Sequence, residues 1–301
     1  MKKHILLLAA LAMLFSCGNN NPKPDKPAQP DTNKETTVNT IDTDTVSEPT
    51  TDEDITEAEQ PYFYVETYQI QDHRPATSDG EETGENLMSF ECVVDIPVTD
   101  NQALYDSICQ WFAHYMYDGY YMDPRDVKAM TDRYKDAVLD PDNYGEPDGF
   151  DASTYFKMVE ANDHYVTYRR YDFFEAFSSP RANQEENYVT FNRETGKRFT
   201  REMIDVDEDL KEMVMNALFE QYFSEWDPED LGDLLFFDPD FPEDYGFFLP
   251  QYTDPWILND YIYFGYGEHE IADRCTGQPA CGLSYSEMEP YLTEEGREFF
   301  R

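Results

Sequence analysis

A sharp change of composition near residue 61 decides which part of this chain can build a core. Residues 18–60 contain no aromatic side chain and are rich in Pro, Thr, Asp, Glu and Asn. Such a segment buries too little apolar surface to offset the conformational entropy that ordering costs. All 23 tyrosines and all 3 tryptophans lie beyond it. We therefore expect a disordered tether over residues 17–60, followed by one large domain or two closely packed smaller ones.

The first 16 residues have the pattern of a bacterial lipoprotein signal peptide. Two lysines precede an apolar run over residues 5–15, which is shorter than the ~20 residues that a membrane-spanning helix needs. The segment Leu14-Phe15-Ser16-Cys17 resembles a lipobox, in which cleavage occurs before a cysteine that becomes lipid-modified. We expect lipidation at Cys17, and hence an exported protein anchored to a bacterial membrane, in the periplasm or at the cell surface. An ordinary signal peptide with a chance cysteine is the alternative.

The folded part is strongly acidic. Of 64 acidic and 22 basic residues, 11 acidic and 3 basic lie in residues 18–60 and two lysines lie in the leader, which leaves residues 61–301 with a net charge of −36. This charge repels nucleic acids and anionic lipid surfaces and favours cationic partners. The alternative is that it only keeps an aromatic-rich protein soluble.

Hydrophobic periodicity beyond residue 60 predicts an α+β fold, with an antiparallel sheet and packed helices. Two strands, 61–70 and 87–98, flank an acidic loop over residues 79–86, and a helix capped by Thr99 or Asp100 follows them. A second helix starts at Pro124, because proline is tolerated at the first helical position. We divide this region into an N-terminal α+β part, 61–180, and a C-terminal part, 181–301. The other predicted strands cover 153–161, 164–177, 187–196 and short segments around 246–252, 256–260 and 261–266, and the other predicted helices cover 205–226 and 285–300.

The residue types of this chain could support three kinds of chemistry. A glycosidase needs only two placed carboxylates, but with so many present none is singled out, and the histidines beyond the leader are far apart. The acidic segment 227–246 offers oxygen ligands for calcium without the ligand spacing of an EF-hand. Aromatic runs such as YFYVETY, HYMYDGYYM and YIYFGYG could stack on sugars or fill a core. The sequence predicts no catalytic residue, no metal site and no cofactor.

Four cysteines remain after Cys17. In an exported protein an even set predicts disulfides, although their connectivity cannot be deduced from sequence. Cys275 and Cys281 flank a turn containing Gly277, so a bond between them is geometrically easy. Cys92 on a strand and Cys109 on the next helix form a second candidate pair. A zinc site of His269, Cys275 and Cys281 competes with the first bond, but no second ligand pair supports it.

Three segments resemble the extracytoplasmic domain of RsiV-type proteins. These are FFLPQYTDPWILNDYIYFGYGEHEIADRCTGQPACGLSYSEMEPYL, YVTFNRETGKRFTREMI and CVVDIPVTDNQALYDSI, which together touch about 210 residues. HEIAD takes the place of the family's Tyr-Glu-Ile-Ala segment, with His269 where tyrosine is usual. EAFSSPRANQEE replaces the family's Gly-Gly-Ala-His turn, so a role tied to that turn does not carry over.

The resemblance implies an α+β domain that senses or binds, with Glu270 and Gly277 as fold-signature positions rather than catalytic ones. RsiV-type proteins are transmembrane anti-sigma factors whose outer domain binds lysozyme, and relatives accompany peptidoglycan deacetylases. This chain lacks their transmembrane helix and sigma-binding segment, so we do not expect anti-sigma activity. We expect a non-catalytic, lipid-anchored envelope protein that binds a cationic, lysozyme-like protein or cell-wall glycan. An envelope carbohydrate or peptidoglycan hydrolase that uses acidic residues is the alternative.

Overall fold

The computed structural model describes residues 63–78, 81–116, 122–140, 149–179, 182–227, 231, 234–236 and 248–301. The predicted signal peptide, Cys17 and the tether lie outside these residues, as does most of the acidic segment 227–246. Residues 60–301 form one compact unit. None of the helices in the described part is long and apolar enough to cross a membrane.

A five-stranded sheet forms the larger half of this unit and confirms the α+β prediction. Its strands lie in the order of the chain: β1 (Phe63–Ser78), β2 (Glu81–Thr99), β3 (Phe150–Ala161), β4 (Tyr165–Ala176) and β5 (Asn183–Asn192). Neighbouring strands pair antiparallel except β2 and β3, which are parallel. A parallel pair requires a crossover connection, and here two helices supply it. Strands β4 and β5, which lie on either side of the boundary predicted between residues 180 and 181, are neighbours in this sheet.

The first hairpin is longer than the sequence predicts. Strand pairing continues to Ser78 and Glu81, through most of the segment expected to be an acidic loop. Each further residue in the ladder gains hydrogen bonds to its partner, and this outweighs the weak local preference of Gly, Asp and Glu for loops. The register shifts once, between Pro75 and Thr77, where proline supplies no N–H to the ladder.

The crossover helices are α1 (Gln102–Met116) and α2 (Val127–Val138), and both start later than predicted. Asn101 caps α1, because its Oδ1 accepts from the backbone N–H groups of Ala103 (3.0 Å) and Leu104 (3.2 Å). Asp126 caps α2 in the same way, so Pro124 lies before the helix and not at its first position. One apolar face of α1 packs against the sheet, where Leu104, Ile108, Trp111 and Phe112 are buried and Tyr115 is partly buried.

A second, three-stranded sheet consists of β6 (Trp256–Leu258), β7 (Tyr261–Gly265) and β8 (Ala280–Ser284), in that order. One face packs against α3 (Glu208–Gln221) and is fully apolar. Its buried side chains are Ile257, Ile262, Phe264, Cys281 and Leu283. The opposite face carries aromatic and small residues and is only partly covered.

The single closing helix predicted over residues 285–300 is wrong. The structure has α4 (Tyr285–Met288), a 3-10 turn at Glu289–Tyr291 and α5 (Glu294–Arg297). Leu292 is extended and bridges to Ile204, which ends the first turn. Thr293 then caps α5 by accepting from the N–H of Gly296. Tertiary pairing and a new cap therefore divide a segment whose periodicity is helical throughout.

Buried threonines join the two sheets. Thr190 Oγ1 accepts from the N–H of Ile257 (2.8 Å), while Thr167 Oγ1 donates to the carbonyl oxygen of Ile257 (2.6 Å). The two hydroxyls also contact each other at 2.8 Å. All three residues are fully buried. This junction holds β6 beside β5 and so brings the outer faces of the two sheets together.

Candidate functional site

A groove of about 470 Å³ lies where the outer faces of β5 and of the second sheet meet. This volume is within the range of small-ligand pockets, about 300 to 1,000 Å³. Its walls combine aromatic, amide and carboxylate side chains. Those that the chemistry below uses are Tyr171, Gln184, Glu186, Tyr188, Asp254, Trp256, Tyr263, Glu268 and Gln278.

Two aromatic rings form the floor of the groove. The rings of Trp256 and Tyr263 are nearly parallel, at 10°, with centroids 5.6 Å apart. Tyr188 of β5 stacks on Trp256 with centroids at 4.7 Å and an angle of 11°. A two-residue turn sets this arrangement, because Asn259 and Asp260 both have positive φ, as a type I′ hairpin requires, and this turn places Trp256 directly opposite Tyr263.

Two glycines let these rings pack against the sheet. A Cβ atom at Gly282, which pairs with Tyr263, would lie 2.8 Å from Cε1 of the tyrosine ring. A Cβ atom at Gly265 would lie 2.6 Å from Cη2 of Trp256. Both distances are shorter than van der Waals contact, so any larger residue would displace a ring. The glycines therefore fix the depth and the tilt of the two rings. We call Trp256 and Tyr263 together the aromatic floor.

The groove offers hydrogen-bond donors next to the rings. The indole Nε1–H of Trp256 is buried and has no hydrogen-bond partner among the described residues. Burial, with the nearby carboxylate of Glu186, raises the pKa of Tyr188 to about 12. Its phenol is therefore protonated at neutral pH and donates to Glu186 Oε2 at 3.1 Å. A buried donor without a partner costs free energy, which a ligand oxygen could recover.

The carboxylates of the groove are not free anions. Each lies beside an arginine: Glu186 by Arg169 (3.7 Å), Asp254 by Arg198 (3.1 Å) and Glu268 by Arg274 (2.8 Å). The site is therefore close to neutral, although the chain as a whole is acidic. Local charge favours an uncharged polar ligand here over a cation.

The segment from residue 267 to residue 285, which contains Cys275 and Cys281, contributes one wall of the groove. The side-chain amide of Gln278 accepts from the N–H of Glu186 at 2.7 Å and donates to its carbonyl oxygen at 3.4 Å. Arg274 Nη2 donates to Asn183 Oδ1 at 2.8 Å. These bonds cover the outer edge of β5, which protects an edge strand from pairing with other chains.

Glu270 and Gly277 have structural positions in this segment. The Glu270 carboxylate accepts from the N–H of Gln251 (2.6 Å) and from that of Gly267 (2.7 Å), and so closes the loop beside the groove. Gly277 has φ of 79° and ψ of −139°, a conformation open essentially to glycine alone. The chain turns there to bring Gln278 onto β5.

The four described cysteines are free thiols, which differs from the two disulfides that the sequence predicts. Cys281 points into the core, where its Sγ donates to the carbonyl oxygen of Val214 at 3.5 Å, whereas Cys275 is exposed on a 3-10 turn. Cys92 and Cys109 are buried in the same apolar cluster. The two disulfides stay predictions.

The structure does not bring together the candidate zinc ligands His269, Cys275 and Cys281. His269 is exposed, and its Nδ1 lies 3.9 Å from Asp273, while Cys281 is in the core. The described histidines are His73, His114, His164 and His269, each on a different element or turn and each exposed. Across the described ranges, no three His, Cys, Asp or Glu side chains are placed to hold a metal ion. Tyr117, Tyr120 and Tyr121 of the second aromatic run lie outside the described residues.

Sequence reasoning found part of the aromatic floor and missed the rest. The sequence marks YIYFGYG, which contains Tyr263, as an aromatic run, whereas at Trp256 and Tyr188 it predicts only strands. A usable signal was present: glycine alternates with aromatic residues on facing strands, which suggests rings packed on glycine. The three arginine partners come from distant segments and carried no local signal.

Comparison with known proteins supports the fold and nothing finer. No known protein family and no curated protein matches the sequence. A solved structure of a DUF3298 family member from Bacteroides fragilis has a TM-score of 0.57 and 17% identity, covering 78% of this chain and 97% of that one. A DUF3298 family protein from Pseudomonas aeruginosa has a TM-score of 0.50 and 11% identity, covering 79% and 97%. DUF3298 is a bacterial domain of unknown function. The RsiV-like assignment is more specific than this and stays a prediction.

Proposed function

We propose that this chain is a non-catalytic binding protein of the bacterial envelope, whose groove takes a neutral carbohydrate, in particular cell-wall glycan. The observation that carries the proposal is the aromatic floor, whose two nearly parallel rings are stacked beside each other over two glycines. The apolar C–H face of a pyranose ring packs on such a surface, and burial of apolar area drives the contact. The proposed export and lipidation at Cys17 would place the groove near the wall.

Polar groups around the floor suit the hydroxyls of a sugar. The phenol of Tyr263 belongs to a partly exposed side chain, and the amide of Gln184 is exposed at the groove. Each can exchange hydrogen bonds with neutral hydroxyl or acetamido groups without a charge change. The arginine-paired carboxylates make the groove less attractive to a cation.

The same pairs argue against the hydrolase alternative. A glycosidase places one carboxyl as acid and another as base or nucleophile, about 5 to 10 Å apart across the scissile bond. The carboxylates of Asp254 and Glu268 accept hydrogen bonds from arginines, and Asp254 also accepts from the N–H of Arg201 at 3.4 Å. These groups hold the walls of the groove together, which is a structural task.

A second partner class, a cationic lysozyme-like protein, is favoured by the charge of the folded part. The net charge of −36 over residues 61–301 is far larger than the groove accounts for. Opposite charge raises association rates and selects partners. Such a partner would meet the outer surface and not the groove. Nucleic acid is disfavoured by the same charge.

The proposal is tested by changing the floor and measuring binding to chitooligosaccharides by calorimetry and to purified wall sacculi by sedimentation. Tyr263→Ala removes one ring, and we expect affinity to fall about tenfold, since aromatic contacts of this kind contribute up to about 1.5 kcal/mol. Gly282→Ala adds one methyl group that displaces the same ring, and should weaken binding although it removes no side chain from the groove.

Tyr252→Ala is the matched control, because Tyr252 is 83% exposed and does not line the groove. It should bind as the unmodified protein does. Equal binding by all four proteins, or no binding by the unmodified one, would contradict the proposal.

A further inference from the structure

The aromatic surface does not end at the groove. Tyr171 of β4 lines the groove, and its ring centroid lies 6.1 Å from that of Tyr155 on β3. The two residues are directly opposite in the β3–β4 register. Both are partly exposed on the face of the large sheet that bears Tyr188. The groove is therefore open at one end onto a tyrosine-bearing sheet face.

We propose that the ligand is a linear glycan chain of several sugar units, which runs from the aromatic floor across the strands over Tyr188, Tyr171 and Tyr155. This inference rests on the proposed function and specifies the form of its ligand. A binding site for a single sugar or a disaccharide needs only the enclosed groove. A polymer also uses the open face.

The spacing of the rings supports a chain that lies across the strands. Five successive strands each supply one ring to this band: Tyr155, Tyr171, Tyr188, Trp256 and Tyr263. The steps between ring centroids along it are 6.1, 4.7 and 5.6 Å where neighbours are in contact. Tyr171 and Tyr188 are diagonal neighbours on adjacent strands, a relation that spans about 7 to 8 Å. Tyr188, Trp256 and Tyr263 form one stack, and the band continues from this stack over Tyr171 to Tyr155, so a ligand that covers the whole band must contain several sugar units.

The far end of the band is held in place before any ligand binds. The hydroxyl of Tyr155 donates to Glu91 Oε2 at 2.6 Å, and Gln69 Nε2 donates to Glu91 Oε1 at 2.7 Å. Burial, and then Glu91, raises the pKa of Tyr155, so its phenol stays protonated. A ring already fixed loses little conformational entropy on binding.

Two carboxylates on the open face lie beside basic side chains, as those of the groove do, while Glu91 accepts from the neutral donors Tyr155 and Gln69. Lys157 Nζ lies 3.1 Å from Asp95 Oδ1, and Arg169 lies beside Glu186. Thr67 Oγ1 also donates to Asp95 at 2.7 Å. A neutral polymer therefore meets no uncompensated charge at Asp95 or Glu186, whereas a charged polymer would gain nothing from these two pairs.

The test is calorimetry of the full chain with chitooligosaccharides of two to six units. We expect affinity to rise with length beyond the disaccharide. Tyr155→Ala should lower affinity for the hexamer about fivefold or more and leave the disaccharide unchanged. Tyr155→Phe is the matched variant: it keeps the ring, loses the bond to Glu91 and should retain most of the hexamer affinity.

The outcomes separate the two proposals. Equal affinity for all lengths, or equal loss for short and long chains in Tyr155→Ala, overturns the extended site and leaves groove binding intact. No binding at any length by the unmodified protein overturns both. The length series needs no variant, so the inference remains testable even if Tyr155→Ala does not fold.

Discussion

At the scale of single residues, the same side-chain type has opposite fates that the sequence alone does not distinguish. Tyr168 and Tyr266 are fully buried, whereas Tyr263 is partly exposed at the groove. All three lie in alternating aromatic segments. What separates them is the partner strand: a glycine faces Tyr263, which leaves room for a flat ring at the surface. That information is held in a segment about 20 residues further along the chain.

The cysteines give a residue-scale prediction. Burial raises the pKa values of Cys92, Cys109 and Cys281 to about 12, so at pH 8 these thiols lack the reactive thiolate form. Cys275 is exposed. In the folded, reduced protein we expect Cys275 to react rapidly with an aromatic disulfide reagent and the three buried thiols to react only after denaturation.

Cys275→Ser supplies the control, since it should remove the rapid phase belonging to this residue. If unreduced protein instead shows no rapid reaction at Cys275 and gains one after reduction, the residue is bonded. That result would support the bridge between Cys275 and Cys281 that the sequence predicts.

At the scale of elements, the sequence predicts which helices and strands exist better than it predicts where they begin and end. Periodicity identified α1, α2, α3, the β3–β4 hairpin and the helical character of the C-terminus, because each has a strong local pattern. It misplaced ends where a tertiary contact decides them. The β1–β2 hairpin was extended by its own ladder, and α1 begins at a cap that also bonds to another element. Asn101 Nδ2 donates to the carbonyl oxygens of Arg193 and Glu194, both at 2.7 Å, just beyond β5.

Asn101 should therefore contribute in two separable ways. Asn101→Ser retains a capping oxygen and loses the two bonds to the turn, so we expect a loss of about 1 kcal/mol in the free energy of unfolding. Asn101→Ala loses both functions and should cost about 2 kcal/mol. Urea denaturation measures both values.

Asp100→Ala is the comparison, because Asp100 is one of the two caps that the sequence predicts, with Thr99, and is exposed. Its effect should stay within about 0.5 kcal/mol, as for ordinary surface substitutions. A loss at Asp100 as large as that at Asn101 would show that the capping assignment is incorrect.

At the scale of the whole molecule, the acidic excess of the chain does not extend to the groove. The acidic excess was evident from composition, but its absence from the groove was not, since each compensating arginine is distant in sequence. The fold class could be predicted from patterns within segments. The site could not, because it is made by the junction of two sheets through Thr167, Thr190 and Ile257. Residues that form a site at such a junction can be recognised only from the three-dimensional structure.

Binding of a cationic protein is the prediction at this scale. Immobilised full chain should retain purified lysozyme at low ionic strength and release it at high salt, because salt screens attraction between exposed charges. Tyr263→Ala should retain lysozyme equally well, since the groove is not involved. Failure to retain lysozyme at low salt would contradict this partner class.

The order of the strands also determines how the domain carries mechanical load. The described chain enters at Phe63 on β1, and the groove lies against β5, four strand spacings or about 19 Å away. If the proposed polymer binds, tension between it and the N-terminal side of β1 crosses every ladder of the sheet, including the parallel one, which joins only Met88–Val94 to Phe150–Phe156. The crossover helices clamp this seam: Trp111 of α1 packs on Phe156 of β3, and Tyr134 of α2 on Phe90 of β2, with centroids 5.5 Å apart in each case. Because both helices pack on this pair of strands, the sheet resists separation between β2 and β3.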